Sequence, residues 1–200
     1  LVRSRETNLG DFCADAYRFV SGADIAFVNG GGIRACIEPG DVTYEDIISV
    51  QPYGNTLCVA EVTGAEILDA LETASRSVLP EAGMGENGGF LQVSGLRYTI
   101  DTSVESTVQL DDAGMFVSCG DSRRVCDVEV LQEDGSYAPI DPDGTYTLAS
   151  QNYLIKQGGD GLNMFEDNVL TVDEGIVDYQ ILITYISDYL GGTIGGEYAE

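Results

Sequence analysis

The stretch that most limits how this chain can fold is Asn29-Gly30-Gly31-Gly32-Ile33-Arg34, which follows Asp24-Ile25-Ala26-Phe27-Val28. A short apolar run bounded by turn residues reads as a buried strand. Three consecutive glycines then open backbone conformations closed to other residues and leave no side chains in a ligand's way. Asn29 offers a polar amide on one side of that gap. Arg34 on the other side offers five fixed donors suited to phosphate or carboxylate oxygens. The pattern reads either as a binding loop for an anionic or polar small molecule or as a glycine-rich tight turn beside a surface arginine.

Charge narrows the ligand. Across 200 residues, 34 Asp and Glu stand against 9 Lys and Arg, a formal net charge of -25. Such a field repels nucleic-acid backbones and anionic membranes, which argues against a nucleic-acid polymer as partner. A small anion can then be held only where the scarce arginines or backbone N–H groups converge. Histidine is absent, which excludes a Ser-His-Asp triad, a His-assisted cysteine nucleophile and His-containing zinc or iron sites. The five cysteines (Cys13, Cys36, Cys58, Cys119 and Cys126) include no CxxC pair. Cys119 and Cys126 have a hairpin-like spacing able to carry a disulfide, which leaves at least one other thiol free or paired between chains. No run of about 18 apolar residues suggests a membrane span. Leu1-Val2-Arg3 carries no signal-peptide pattern, and the chain reads as an excised piece of something longer.

Along the chain, Leu9, Phe12, Cys13, Ala16 and Tyr17 recur at helical spacing behind a cap at Thr7 or Asn8. Thr43 caps a short helix over 44–50, and Thr63-Gly64-Ala65-Glu66 resembles a capping box for a helix reaching about Ser77. Strands are expected at 24–28, 56–62, 90–93, 96–100, 125–131 and 146–149, with a loop over 80–89. Gly135-Ser136 and Asp143-Gly144 supply turn chemistry. A final amphipathic helix over 176–190 precedes a flexible tail, 191–200. Helices at both ends with strands between them predict an α+β or layered α/β domain.

A second glycine loop, Gly158-Gly159-Asp160-Gly161, places a carboxylate where it can receive paired hydroxyls such as those of a ribose, or simply bond its own turn. Tyr53, in Pro52-Tyr53-Gly54-Asn55, and Tyr153, just before the second loop, are placed to stack a flat base or to bury their rings locally. No acidic spacing suggests an EF-hand or a two-metal carboxylate cluster. The residues describe a site for a phosphorylated or hydroxylated aromatic ligand and offer no catalyst to act on it.

These stretches resemble the C-terminal domain of the 5′-nucleotidases, the family that includes ecto-5′-nucleotidase, UDP-sugar hydrolases and 2′,3′-cyclic-nucleotide phosphodiesterases. The matches run in the family's order from residue 3 to about 165. They are Glu6-Thr7-Asn8-Leu9-Gly10, Val28 to Arg34, Pro52-Tyr53-Gly54-Asn55, Gly64 before a helix ending near Leu71-Glu72, Leu91 to Tyr98, and Gly158-Gly159-Asp160-Gly161. The resemblance implies a layered α/β/β/α-type domain with mixed sheets over residues 1–190. It implies that an N-terminal metallophosphatase domain, absent from this chain, holds two divalent metal ions. This domain would bind nucleotide or nucleoside, bind no cofactor of its own and hydrolyse nothing alone. An extracellular, cell-wall or periplasmic location follows from the same resemblance.

Carried residue by residue, the resemblance makes Arg3 and Arg34 phosphate-contacting arginines and Asn29 a polar contact of the nucleoside site. Tyr53 matches one of two rings that sandwich the base, Asn55 and Gly95 match positions beside the base, and Asp160 matches the carboxylate that receives the ribose hydroxyls. The family spacing puts the second ring six residues before Asp160, where Leu154 stands, and Tyr153 falls seven before. Either an extra residue in Ile155-Lys156-Gln157 bulges and restores the register for Tyr153, or Leu154 holds that position and the base has only one ring. The competing function, from a different class, is a stand-alone nucleoside-binding module with no hydrolase partner.

Overall fold

Three threonines start three helices. Thr7 accepts the Gly10 N–H at 3.1 Å and opens α1 (Asn8–Ser21), which Gly22 closes at φ 72°. After β1 (Ile25–Asn29), Thr43 and Asp46 form a reciprocal capping box on α2 (Tyr44–Val50). After β2 (Leu57–Thr63), Thr63 and Glu66 do the same on α3 (Gly64–Ser75). The chain continues through β3 (Leu91–Ser94), β4 (Leu96–Ile100), β5 (Gln109–Leu110), β6 (Phe116–Ser118), β7 (Val125–Leu131) and β8 (Tyr137–Pro139). It ends with β9 (Thr145–Gln151), α4 (Asn152–Ile155), β10 (Leu170–Val172) and α5 (Asp178–Thr184). This computed structural model describes residues 1–81 and 83–198.

The main sheet has the order β10-β2-β9-β1-β3. β1 and β9 run parallel, and the other neighbours are antiparallel. The pleat sorts its side chains into two cores. Ile25, Phe27, Cys58, Ala60, Val62 and Leu148 face α3, α4 and the smaller β4-β7-β8 sheet. Ala26, Val28, Leu57, Val59 and Ala149 face α1, α2 and α5. Burial on both faces explains why β1 reads as a continuous apolar run rather than an alternating one.

The expected layered α/β domain with mixed sheets is observed. The strands β5, β6, β8 and β10 have no counterpart among the expected ones, because two or three residues carry too little periodicity to mark a strand. The helix expected to reach Ser77 ends at Ser75, where buried Arg124 takes over. Its guanidinium donates to the carbonyls of Ser75, Arg76 and Val78 at 2.8–3.0 Å, satisfying helix-end acceptors that no glycine cap serves. Buried Glu72 in turn accepts the N–H groups of Arg124 and Val125. Side-chain contacts of this kind tie the Cys119–Cys126 loop to α3. All five cysteines are free, so the disulfide allowed by the 119/126 spacing is not formed.

The C-terminus also differs. The helix expected over 176–190 is α5, followed by a wider π turn over Tyr185–Tyr189. The segment expected as a flexible tail returns to α1 as far as Tyr198, and residues 199–200 lie outside the described residues. The Tyr198 ring meets Phe12 edge-on at 5.5 Å. Its hydroxyl donates to Asp15 at 2.7 Å and lies 2.7 Å from the Tyr185 hydroxyl. A Gly-rich composition predicts fraying only when no aromatic anchor finds a partner.

Candidate functional site

Parallel pairing brings the two glycine loops to the same end of the sheet. β1 ends at Asn29 and runs into Gly30–Gly32, while its parallel neighbour β9 ends at Gln151 and leads through α4 to Gly158–Gly161. The crevice outside the C-terminal ends of parallel strands is where open α/β sheets bind ligands. β2 is antiparallel to β9 and begins with Leu57 opposite Gln151. The Pro52–Asn55 turn that precedes it therefore opens at that end too.

Asp160 is the centre of the cluster. Its Oδ2 accepts a hydrogen bond from Asn29 Nδ2 at 2.7 Å, and its backbone N–H donates to the Tyr153 hydroxyl at 3.2 Å. Asp160 adopts φ 57°, a left-handed conformation that Asp tolerates better than most residues. Close glycines make room for it. A Cβ on Gly89 would stand 2.7 Å from that of Asp160, and one on Gly159 would stand 2.5 Å from the Tyr153 ring. Burial, then the Asp160 charge, pushes the Tyr153 phenol above its ordinary pKa, with Tyr53 adding to the same shift. Tyr53 itself is 61% exposed, a ring presented rather than packed.

The residues singled out from sequence divide accordingly. Asn29, Tyr153 and Asp160 come together, and Tyr53 stands close to Tyr153. Leu154 is 1% exposed and packed in the core, so of the two neighbours it is Tyr153 that faces the second glycine loop. Asn29 is 5% exposed and its amide holds Asp160, which makes it a support for the carboxylate. Arg34 is exposed, leaning on the Gly31 carbonyl at 3.4 Å. Arg3 reaches the same loop through its backbone: a Cβ on Gly30 would lie 3.1 Å from Arg3 Cα. Asn55 sits in the Tyr53 turn. Gly95 does not belong to the cluster. The β1–β3 register pairs Ala26 with Ser94 and Asn29 with Leu91, which puts Gly95 at the opposite end of the sheet. There, at φ 80° and with no space for a Cβ beside the Asp24 carbonyl, it turns the chain from β3 into β4.

Three contributors escaped the sequence. Asp178 is fully buried and accepts the Asn55 N–H at 2.9 Å and the Tyr179 N–H at 2.8 Å, clasping the Tyr53 turn to α5; burial raises its pKa. Gly88 accepts the Gly31 N–H at 2.7 Å, seating the 87–89 loop on the first glycine loop. Arg76 lines, with Tyr153, Gly159 and Asp160, an open pocket of about 380 Å³ that residues of the β5–β6 hairpin also line. Of the three, only Gly88 carries a local signal, as part of the glycine-rich loop expected over 80–89. Among the described residues, no group of three or more His, Cys, Asp or Glu side chains is placed to hold a metal ion.

A family model described as the 5′-nucleotidase C-terminal domain matches residues 1–167. The chain belongs to this family. This 5′-nucleotidase C-terminal domain is 38% identical over 186 residues to the trifunctional nucleotide phosphoesterase protein YfkN of Bacillus subtilis, covering 90% of the chain and 11% of that protein. It is 30% identical over 185 residues to protein UshA of Escherichia coli, covering 92% of the chain and 28% of UshA. Among solved structures, the 5′-nucleotidase precursor from Thermus thermophilus superposes with a TM-score of 0.77 at 36% identity, covering 94% of the domain and 34% of that chain. The domain thus spans about a third or less of each of these relatives. No helix among the described residues is long and apolar enough to cross a membrane.

Proposed function

We propose that this domain is the nucleoside-binding, substrate-specifying part of a nucleotide phosphohydrolase. The observation that carries the reading is the convergence of Tyr153, Asp160 and Asn29 at one end of the sheet, with the exposed Tyr53 ring beside them. The rings of Tyr53 and Tyr153 take the base between them, a contact that contributes about 1–3 kcal/mol for each stacked face. Asp160, held by Asn29, accepts the ribose hydroxyls. Arg3 and Arg34, both borne at the first glycine loop, meet the phosphate.

The names of the relatives, nucleotide phosphoesterase and 5′-nucleotidase among them, support a role in nucleotide breakdown for the longer protein. In this reading an N-terminal metallophosphatase domain supplies two divalent metal ions and the hydrolytic chemistry, and this domain alone hydrolyses nothing. The longer protein works outside the cytoplasm, in the periplasm, at the cell wall or secreted.

Calorimetric titration of this chain with adenosine, AMP and UMP tests the reading. Saturable binding is expected, weakened about tenfold or more by Tyr53→Ala and by Asp160→Ala. AMP should bind more tightly than adenosine, with the advantage lost in Arg34→Ala. No saturable binding to any of the three would overturn it.

A further inference from the structure

A single side-chain oxygen joins the two loops that carry the tyrosines. Asn152 is the first residue of α4, directly before Tyr153. Its Oδ1 accepts the Tyr153 N–H at 3.0 Å and also the N–H of Thr56, three residues after Tyr53, at 3.1 Å. The Asn152 backbone N–H returns a bond to the Thr56 carbonyl at 2.8 Å. An amide oxygen has two lone pairs, so both are used here. Asp178 fixes the Tyr53 turn from the far side but bonds only to that turn and to its own helix. Among the described residues, Asn152 is the side chain that hydrogen-bonds to both tyrosine-bearing segments.

The simplest account of such an asparagine is a local helix cap. A local cap explains the bond to Tyr153, one residue away. It does not explain the bond to Thr56, which is 96 residues away in sequence. The β2–β9 ladder already sets the strand spacing, from Thr63 opposite Thr145 to Leu57 opposite Gln151. Beyond that last pair the strands part, one to the Tyr53 turn and the other to Tyr153. Asn152 prolongs the connection by one step at the point where the rings diverge.

We propose that Asn152 is a positioning residue that sets the separation of the Tyr53 and Tyr153 rings and so tunes the site for a flat aromatic base. The proposal rests on the nucleoside reading above. With the oxygen removed, the Thr56 and Tyr153 N–H groups lose their shared acceptor, and the two segments are held there only by the bond from the Asn152 N–H to the Thr56 carbonyl. Stacking depends on ring spacing, so affinity for the base falls although neither ring is altered.

A double-mutant cycle on this chain tests it, with adenosine titrated calorimetrically into the wild type, Tyr53→Ala, Asn152→Ala and the double variant. Asn152→Ala is expected to weaken adenosine binding about tenfold in the wild-type background and less than about twofold in the Tyr53→Ala background. Asn152→Asp, which keeps the oxygen, should recover most of the loss. Should Asn152→Ala fail to fold, Asn152→Gln, which displaces the amide by one methylene, takes its place in the cycle. An equal loss in both backgrounds would mean a purely structural role and would overturn the proposal. An unchanged affinity in Asn152→Ala, with Tyr53→Ala still weakening adenosine, would overturn it while leaving the nucleoside reading intact. No adenosine binding by the wild type would remove that reading and this proposal together.

Discussion

Removing one charge from the start of α1 should stabilise this protein, increasingly so as the pH rises from about 4 to about 7. Burial, then the charges of Glu6 and Asp15, raise the Asp11 carboxyl from its ordinary 3.8 to about 7, all three in the same direction. Asp11 lies in the first turn of α1, where the helix dipole favours an anion by about 0.3–1 kcal/mol. Carrying that carboxyl from 3.8 to about 7, at about 1.36 kcal/mol for each tenfold change in proton affinity, sets a ceiling near 4 kcal/mol that exceeds the dipole effect. Asp11 keeps some solvent contact beside a cavity of about 370 Å³, so screening reduces the usable value to about 1–3 kcal/mol.

The sign follows from linkage. A carboxyl whose folded pKa lies above its unfolded pKa is protonated in both states below about pH 4, where it costs the fold nothing. Between pH 4 and 7 the unfolded chain releases the proton and the folded one retains it, so stability falls progressively over that range and levels off above about 7. Asp11→Asn cannot ionise and escapes that loss. At pH 8 its melting temperature should exceed the wild type's by about 2–12 °C, at roughly 2–4 °C per kcal/mol for a chain of this length. At pH 4 the two should melt together. Thermal and urea unfolding followed by circular dichroism across that range measures the difference. A gap that does not change between pH 4 and 8, or a variant less stable at pH 8, would refute the reasoning.

Two further substitutions test the architecture. Gly95→Ala drives a Cβ into the Asp24 carbonyl at a positive φ. It should lose at least about 1–3 kcal/mol in urea unfolding while its folded fraction binds adenosine like the wild type; a selective loss of ligand affinity would return Gly95 to the site. Tyr198→Phe removes the hydroxyl shared with Asp15 and Tyr185. A loss of about 1–2 kcal/mol is expected by the same assay, and unchanged stability would mean that the C-terminal segment does not dock on α1.

The sequence alone determined what depends on a few neighbouring residues. Thr43 and Asp46, or Thr63 and Glu66, sit on one helical turn, so their reciprocal bonds can be written down without the fold. The glycine loops, the buried β1 run and the net charge of -25 are equally local or additive properties. With the ordered motifs they pointed to the family and to the cluster of Asn29, Tyr53, Tyr153 and Asp160.

Only the tertiary structure decided which side of each residue does what. Gly95 follows a motif that resembles the family's, yet strand register carries it to the far end of β1 from Asn29. Tyr153 stands one residue off the family spacing and Leu154 stands on it, and packing sends the leucine into the core. Asn29 became a support for Asp160 across 131 residues, and Asp178 reached Asn55 across 123. Tyr198 turned an expected loose end into an anchored one from 183 residues away. Propensity and spacing act over a turn or two of chain. Bonds between segments this distant form only where sheet order, register and two packed cores have already fixed both ends.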